Sequence, residues 1–304
     1  MSKQTDLINI PDAITVSGSN VGIGTSSPSG SLHLLTPAGS SGNENTKIPL
    51  VVQENSFSSA NLLELRNSVG GALSAFDQSG SLGINTSSLN SYYAKKLVVD
   101  CGTDVQNGIT IKSSTTGAGM FAFADGTSGS DRYRGYINYN HADDSMTLGT
   151  AGGAGLLGID ATGAVTMPHQ PAFLVRPSVG QTNLPNGVTT VIFDTEIFDQ
   201  NSDFASNTFT APVAGKYHLD ANLWLEQVDT AISYLYLRIL TSNRDYNDII
   251  SPRFSSDPTY WNFQCSVLAD MDAGDTARVL YSQSGTSAQV DIGTNSFFSG
   301  YLVA

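Results

Sequence analysis

Between Ser17 and Leu34 the chain reads SGSNVGIGTSSPSGSLHL, and this stretch limits what the protein can fold into more than any other. It is too poor in charge and too rich in Gly, Ser and Pro for a helix, yet it keeps apolar residues at regular intervals, Val21 and Ile23, then Leu32 and Leu34. The pattern recurs. SGSNVGIGTSS at 17–27 returns one residue shorter as SGSLGINTSS at 79–88, and an echo, ATGAVTMP, stands at 161–168. Each copy is a Ser/Thr-Gly turn followed by a short apolar alternation, which is a hairpin signature. Between the copies KIPLVVQ, AKKLVVD, NGITIKS, RGYINYN and SMTLGT read as further brief strands.

Short strands bury little apolar surface and must still satisfy their backbone groups. Two arrangements meet that demand. In one, three identical chains lie side by side, so that Val21, Ile23 and Leu32 of each meet on a common axis and strand edges are paired or covered between chains. In the other, a single chain forms an ordinary β-domain with loose turns. We take the first as the expectation.

Aromatic residues divide the chain, with nine in residues 1–170 and eighteen in the shorter remainder, so a conventional core is expected only in the second part. The boundary reads TMPHQPAF, where Pro168 and Pro171 interrupt hydrogen-bonded structure. Strands then lengthen. Tyr217, Leu219, Ala221, Leu223 and Leu225 alternate with polar residues, apart from Trp224; Leu235, Leu237 and Ile239 alternate with Tyr234, Tyr236 and Arg238. Trp261, Phe263, Cys265 and Val267 are read as inward, which puts Trp261 in the core. The expected class is all-β, with brief strands that associate between chains in residues 1–170 and a β-sandwich or jelly roll in 171–304.

A formal charge of minus 13 argues against a phosphate-neutralising surface, hence against nucleic acid as the main partner, and disfavours anionic membrane. The N-terminus has no basic region followed by an apolar run, and no segment is long enough to span a bilayer, so neither export by a signal peptide nor membrane insertion is expected. Cys101 and Cys265 are read as two buried free thiols. No cofactor is expected. GAGLLG at 153–158 matches a dinucleotide glycine pattern, but a turn and strand follow it where the pattern needs a helix. His141, Asp143 and Asp144 read as a polar turn. Asp270, Asp272 and Asp275 supply oxygen ligands of the kind calcium takes, with a solvated turn as the default reading. No carboxylate pair is singled out for glycoside cleavage, and no enzyme is expected.

VGIGTSSPSGSLHL resembles the repeated element of phage tail-fibre shafts and related trimeric surface proteins, and residues 123–150 resemble the segment that accompanies it. Phe193, Asp199, Phe204, Phe209, Gly215 and Tyr217, with AGDTARV at 273–279 and SFFSGYLV at 296–303, resemble the globular head of complement-type collagenous proteins, which shares its jelly roll with the tumour necrosis factor superfamily. The gap between Phe204 and Phe209 is shorter than that family's pattern.

The resemblances imply a homotrimer and a virion fibre, made in the host cytoplasm: a trimeric, fibrous β-rich shaft followed by a C-terminal jelly-roll β-sandwich head, with 1–30 an attachment segment and start of the shaft, 31–170 the repetitive shaft and 171–304 the head. Its N-terminal segment would join a tail or adaptor protein, and its head would bind a glycan or protein of the host surface. Tyr234 and Tyr236 are candidates for an aromatic subunit interface, with a solvent-facing pair as the alternative. Arg244, Tyr246, Arg253, Asp257 and Tyr260, in the polar stretch 243–260, are the candidate receptor-binding residues; closing the sandwich is their alternative role. A decorating fibre without a receptor, and a polysaccharide-cleaving spike, are the competing functions.

Overall fold

A computed structural model describes residues 14–23, 32–34, 62–69, 71–77, 79–103, 106–151, 153, 155–285 and 287–304. Most of the expected attachment segment and all of KIPLVVQ lie outside them. The described residues form strands and turns, with two short 3-10 turns at Leu89–Ser91 and Gly129–Tyr133. Among them, no helix is long and apolar enough to cross a membrane. The chain divides into two compact units, Met1–Thr110 and Ile111–Ala304.

In the first unit, β1 (Ile14–Ser17) runs antiparallel to β2 (Asn20–Ile23), which runs parallel to β3 (Leu32–Leu34). A second sheet has the order β4 (Leu63–Arg66), β5 (Ala72–Phe76), β6 (Leu82–Ile84), β7 (Leu97–Val99). Here β5 and β6 are antiparallel, whereas β6 and β7 are parallel. The two copies of the repeat therefore build the same unit, a hairpin whose second strand takes a parallel partner. The register puts Val16, Val21 and Leu32 in one rank of the first sheet and Ile14, Ile23 and Leu34 in another.

The second sheet is apolar on one face. Leu63, Phe76, Leu82 and Leu97 form one rank, and Leu65, Ser74, Ile84 and Val99 the next on the same side. Leu65 and Leu97 are each 56% exposed, and Leu63, Phe76 and Ile84 are exposed too. The other face carries Ala75, Gly83 and Val98, all buried. Glycine is required at 83, because a Cβ there would stand 2.4 Å from the Thr86 carbonyl oxygen and 2.9 Å from Leu89 Cδ2 of the segment that covers this face.

The second unit opens with a meander of β8 (Ala118–Phe123), β9 (Gly135–Asn140), β10 (Ser145–Gly149), β11 (Leu157–Ile159) and β12 (Val165–Thr166). Its ranks separate by chemistry. Phe121, Ile137, Leu148 and Leu157 stand together, flanked on the same face by Tyr139, Met146, Ile159 and Val165. Met120, Asn138, Thr147, Gly158 and Thr166 occupy the other face. The apolar face is open, with Phe121 at 49% and Val165 at 59% exposure. Among described residues 111–171 no hydrophobic side chain is fully buried.

Two of the repeat's turns share one device. Asp77 Oδ1 accepts the N–H groups of Ser79 (2.9 Å) and Ser81 (2.8 Å), and Asp160 Oδ1 accepts those of Thr162 (2.8 Å) and Ala164 (3.0 Å). Gly80 (φ 70°) and Gly163 (φ 88°) supply the left-handed residue each turn needs. The Ser81 amide chiefly holds the Asp77 carboxyl below its usual range, and the Thr162 hydroxyl does so for Asp160. Because the folded pKa is depressed, the stabilisation is complete above the unfolded value and is lost as pH falls through the folded one, below about 4. Asp160→Ala is expected to speed hydrogen exchange at the Ala164 amide, whereas Asp160→Asn, which keeps the acceptor, should protect it to acid pH.

The rest of the second unit is a two-layer sandwich. One sheet holds β13 (Ala172–Arg176), β14 (Gln181–Leu184), β16 (Thr195–Asp199), β19 (Gly215–Glu226), β22 (Tyr260–Met271), β24 (Val290–Ile292) and β25 (Phe297–Leu302). The other holds β15 (Gly187–Thr190), β17 (Phe204–Ala205), β18 (Thr208–Thr210), β20 (Ile232–Thr241), β21 (Asp245–Ile250) and β23 (Thr276–Gly285). First and last strands, β13 and β25, lie side by side, with β19 beyond β25 and β22 outermost on β19. This is a jelly roll.

Tyr217, Leu219, Ala221, Leu223, Leu225, Leu235, Leu237 and Ile239 have no exposed surface, as their alternation predicts. Phe173 packs on Phe209 (4.7 Å between ring centroids), Phe298 (5.0 Å) and Phe204 (5.3 Å). Tyr217 Oη donates to the Val213 carbonyl (2.8 Å), closing the corner that precedes β19. The linker is strapped to the head: Gln200 Nε2 donates to Met167 O and Asn201 Nδ2 to His169 O.

Three expectations are corrected. Trp261 is 38% exposed and touches Phe254 edge-on at 5.0 Å; it has the parity of buried Phe263, but alternation fixes a side chain's face and not its depth, and Trp261 lies near the end of β22 beyond the packed core. Cys101 is exposed while Cys265 is buried, so only one thiol is a core residue. NGITIKS, at 107–113, joins no sheet. The His141–Asp144 segment is the polar β9–β10 turn, in which Asp143 Oδ1 accepts from Ser145 N and Oγ and Tyr139 Oη donates to Asp144.

Candidate recognition surface

The register defines two ends of the head. At the entry end, Ala172 starts β13 beside Tyr301, Gly215 faces Met271, and the Lys216 amide donates to the Ala304 carbonyl. At the opposite end, β19 stops at Glu226 opposite Tyr260, with Asp291 of β24 on its other side. The segment 227–231 is laced to its neighbours there, Gln227 N to Thr259 O and Val228 N to Pro258 O.

The five candidate receptor residues do not form one site, because β21 interrupts the polar stretch that contains them. Leu240 pairs with Asp245 at the entry end and Leu235 with Ile250 near the far end, a span of about 15–20 Å at strand rise. Arg244 is exposed in the β20–β21 turn at the entry end. Tyr246 is partly buried and packs on the core, with its backbone carbonyl near the Cys265 thiol. Arg253, Asp257 and Tyr260 are exposed at the far end. Asp257 Oδ1 accepts the Thr230 amide at 2.8 Å, which anchors that loop.

Two of the three calcium candidates are committed elsewhere. Asp270 pairs with Lys216, whose hydrogen bond chiefly lowers its pKa. Asp275 Oδ2 accepts from Asn243 Nδ2 (2.6 Å) and Asp272 N (2.8 Å), closing the turn. Among the described residues, no group of three or more His, Cys, Asp or Glu is placed to hold a metal. Adding calcium is therefore expected to leave the melting temperature unmoved in a thermal scan.

The outward face of the β19 sheet was not legible as a unit. One rank places His218 between Leu268 and Tyr301; the next but one carries Asp220 with Ser266 and Ser299, and Leu174 and Phe198 extend it. Leu268 (57%), Tyr301 (51%) and Phe198 are exposed. Asn222 sits on this face only 8% exposed, with its Oδ1 unpartnered. Tyr234 and Tyr236 lie on the other sheet, Tyr236 beneath the Arg238 guanidinium at 5.1 Å.

Comparison with known proteins gives no matching family model. No curated protein matches either. Among solved structures, the globular domain of zebrafish complement 1qA protein is 18% identical, with a TM-score of 0.34 covering 45% of this chain and 98% of its own. Murine APRIL gives 12% identity at pH 8.0 and 13% at pH 5.0; in both forms the TM-score is 0.34 and the match covers 44% of this chain and 99% of the other.

Proposed function

We propose that the protein is a homotrimeric virion fibre whose N-terminal part joins the particle and whose head attaches it to a host cell. The observation that carries this reading is the pair of small sheets, β4–β7 and β8–β12, each with an apolar face that no part of its own sheet covers. An antiparallel or mixed sheet normally hides one face, and these hide the wrong one or none. Other copies of the same chain supply the missing cover at no cost in new sequence, and closed symmetry repeats the contact. The resemblance of the repeats to trimeric fibre shafts, and of the head to a trimeric jelly roll, supports three as the number of copies.

The role is recognition, without catalysis. Three heads held together make each further engagement intramolecular, so weak single contacts add up to firm attachment. Light scattering is expected to return the mass of three 32.0 kDa chains, and purified protein is expected to block adsorption of the particle to host cells. A trimer that fails to block adsorption would reassign it as a decorating fibre; shortening of host glycan on incubation would reassign it as a cleaving spike.

A further inference from the structure

At the far end of the head, β19 and β22 bring four outward side chains into a square. Trp224 stands directly opposite Asn262, and Glu226 directly opposite Tyr260. On one face of an antiparallel pair such neighbours have Cβ atoms roughly 5 Å apart, and the diagonal is within reach of aromatic rings. The diagonal is filled: the Trp224 and Tyr260 rings are 5.2 Å apart at 42°. Tyr260 is 58% exposed, so the pair presents ring surface to solvent.

The polar corners are positioned but not spent. Glu226 Oε1 accepts the Trp224 indole N–H at 3.0 Å, which fixes the indole and leaves Oε2 without a donor among the described residues. Asp291, beside Glu226 on β24, accepts the Asn183 amide through Oδ1 at 2.6 Å, leaving Oδ2 in the same condition. Asn262 is exposed. Gly293 lets the indole lie flat, since a Cβ there would stand 2.8 Å from Trp224 Cδ1 and 2.5 Å from Glu226 Oε1.

We infer that this square is a saccharide-binding site. Resting on the attachment function proposed above, the inference names the ligand as a neutral or amino pyranose. Aromatic faces accept the C–H side of a pyranose ring, and free carboxylate oxygens accept its hydroxyl or ammonium donors. The sign of the site sets the class, because two carboxylates beside the rings repel a carboxylated sugar. Trp261 is no part of it, having the opposite parity on β22 and a ring contact with Phe254 instead.

The chain has two tryptophans, so in a Trp261→Phe background all indole emission comes from Trp224. Full-length protein in this background would be titrated with galactose-, glucose- and N-acetylglucosamine-based trisaccharides, a glucosamine trisaccharide, and sialyllactose as the carboxylated comparator. The expected result is a saturable emission change with at least one neutral or amino sugar. Tyr260→Ala and Glu226→Gln should weaken it at least tenfold, while Tyr301→Ala, on the same sheet at the entry end, should leave it unchanged. Circular dichroism confirms that each variant is folded. No response to any sugar, preference for sialyllactose, or an undiminished response in folded Tyr260→Ala would overturn the assignment. Blocked adsorption without sugar binding would sink this site and spare the attachment function; sugar binding without blocked adsorption would do the reverse.

Discussion

Phe173→Ala is expected to destabilise the head by about 3–5 kcal/mol, the range for removing a buried phenylalanine ring from a packed interior. Phe173 comes from β13, the first strand after the linker, and is 1% exposed. Its ring touches Phe298 of β25 on its own sheet and both Phe204 and Phe209 of β17 and β18 on the other, so it bridges the layers. Gly300 sharpens the case. A Cβ at that position would lie 2.8 Å from Phe173 Cε1 and 2.7 Å from Leu219 Cδ2, so the ring is packed against backbone with no slack. The neighbours cannot collapse into the space because they are held in strands, and a cavity term adds to the lost burial. Thermal melts of wild type and variant test this; a drop of a few degrees or less would mean that the cluster is not a single packed unit.

The head was legible because its strands are long and its two faces differ. Alternation in 217–225 and 235–239 gives the buried face without further information, since a strand that crosses a full sandwich is covered along most of its length. The same rule misplaces Trp261, where the strand outruns its cover. It also hides the square at the far end. Trp224 stands out in sequence as the one large apolar residue on a polar face, and Glu226 two residues on shares that face; the signal was there, but its partners Tyr260 and Asn262 arrive from a strand more than thirty residues away, and only register joins them. Conversely, Arg244 and Arg253 are close in sequence and far apart in the fold, because the stretch between them contains β21. Proximity in sequence is a poor guide to a surface wherever a strand intervenes.

The small sheets were legible as strands but not as surfaces. Turn chemistry and the recurring SGS pattern locate the hairpins, yet whether Leu65 and Leu97 share a face depends on the pairing of β4 through β7, including the parallel step from β6 to β7. That step cannot be inferred from two short apolar runs, because an antiparallel pairing fits them equally well.

Those faces carry the second large effect. Leu148→Asp combined with Ile137→Asp is expected to convert the assembly from three chains to one on light scattering, with the head's own melting transition retained. The two residues are directly opposed on β10 and β9, in the rank completed by Phe121 and Leu157. In an isolated chain both positions are already open, Ile137 at 41% and Leu148 at 37% exposure, so a carboxylate there remains hydrated and the monomer loses little. In an assembly that buries the rank between copies, every copy would bring two unpaired charges into an apolar interface, at a cost of several kcal/mol for each buried ion. Each covered leucine or isoleucine contributes only ~1.5–3 kcal/mol, so the sign is not in doubt once the face is an interface. Asn138→Asp and Thr147→Asp, one rank along on the polar face, are the matched control and should leave the trimer intact. If both pairs of substitutions leave the mass at three chains, the apolar face is not where the copies meet. If wild type itself is a monomer, the open faces need cover from some other molecule, and the fibre reading falls with them.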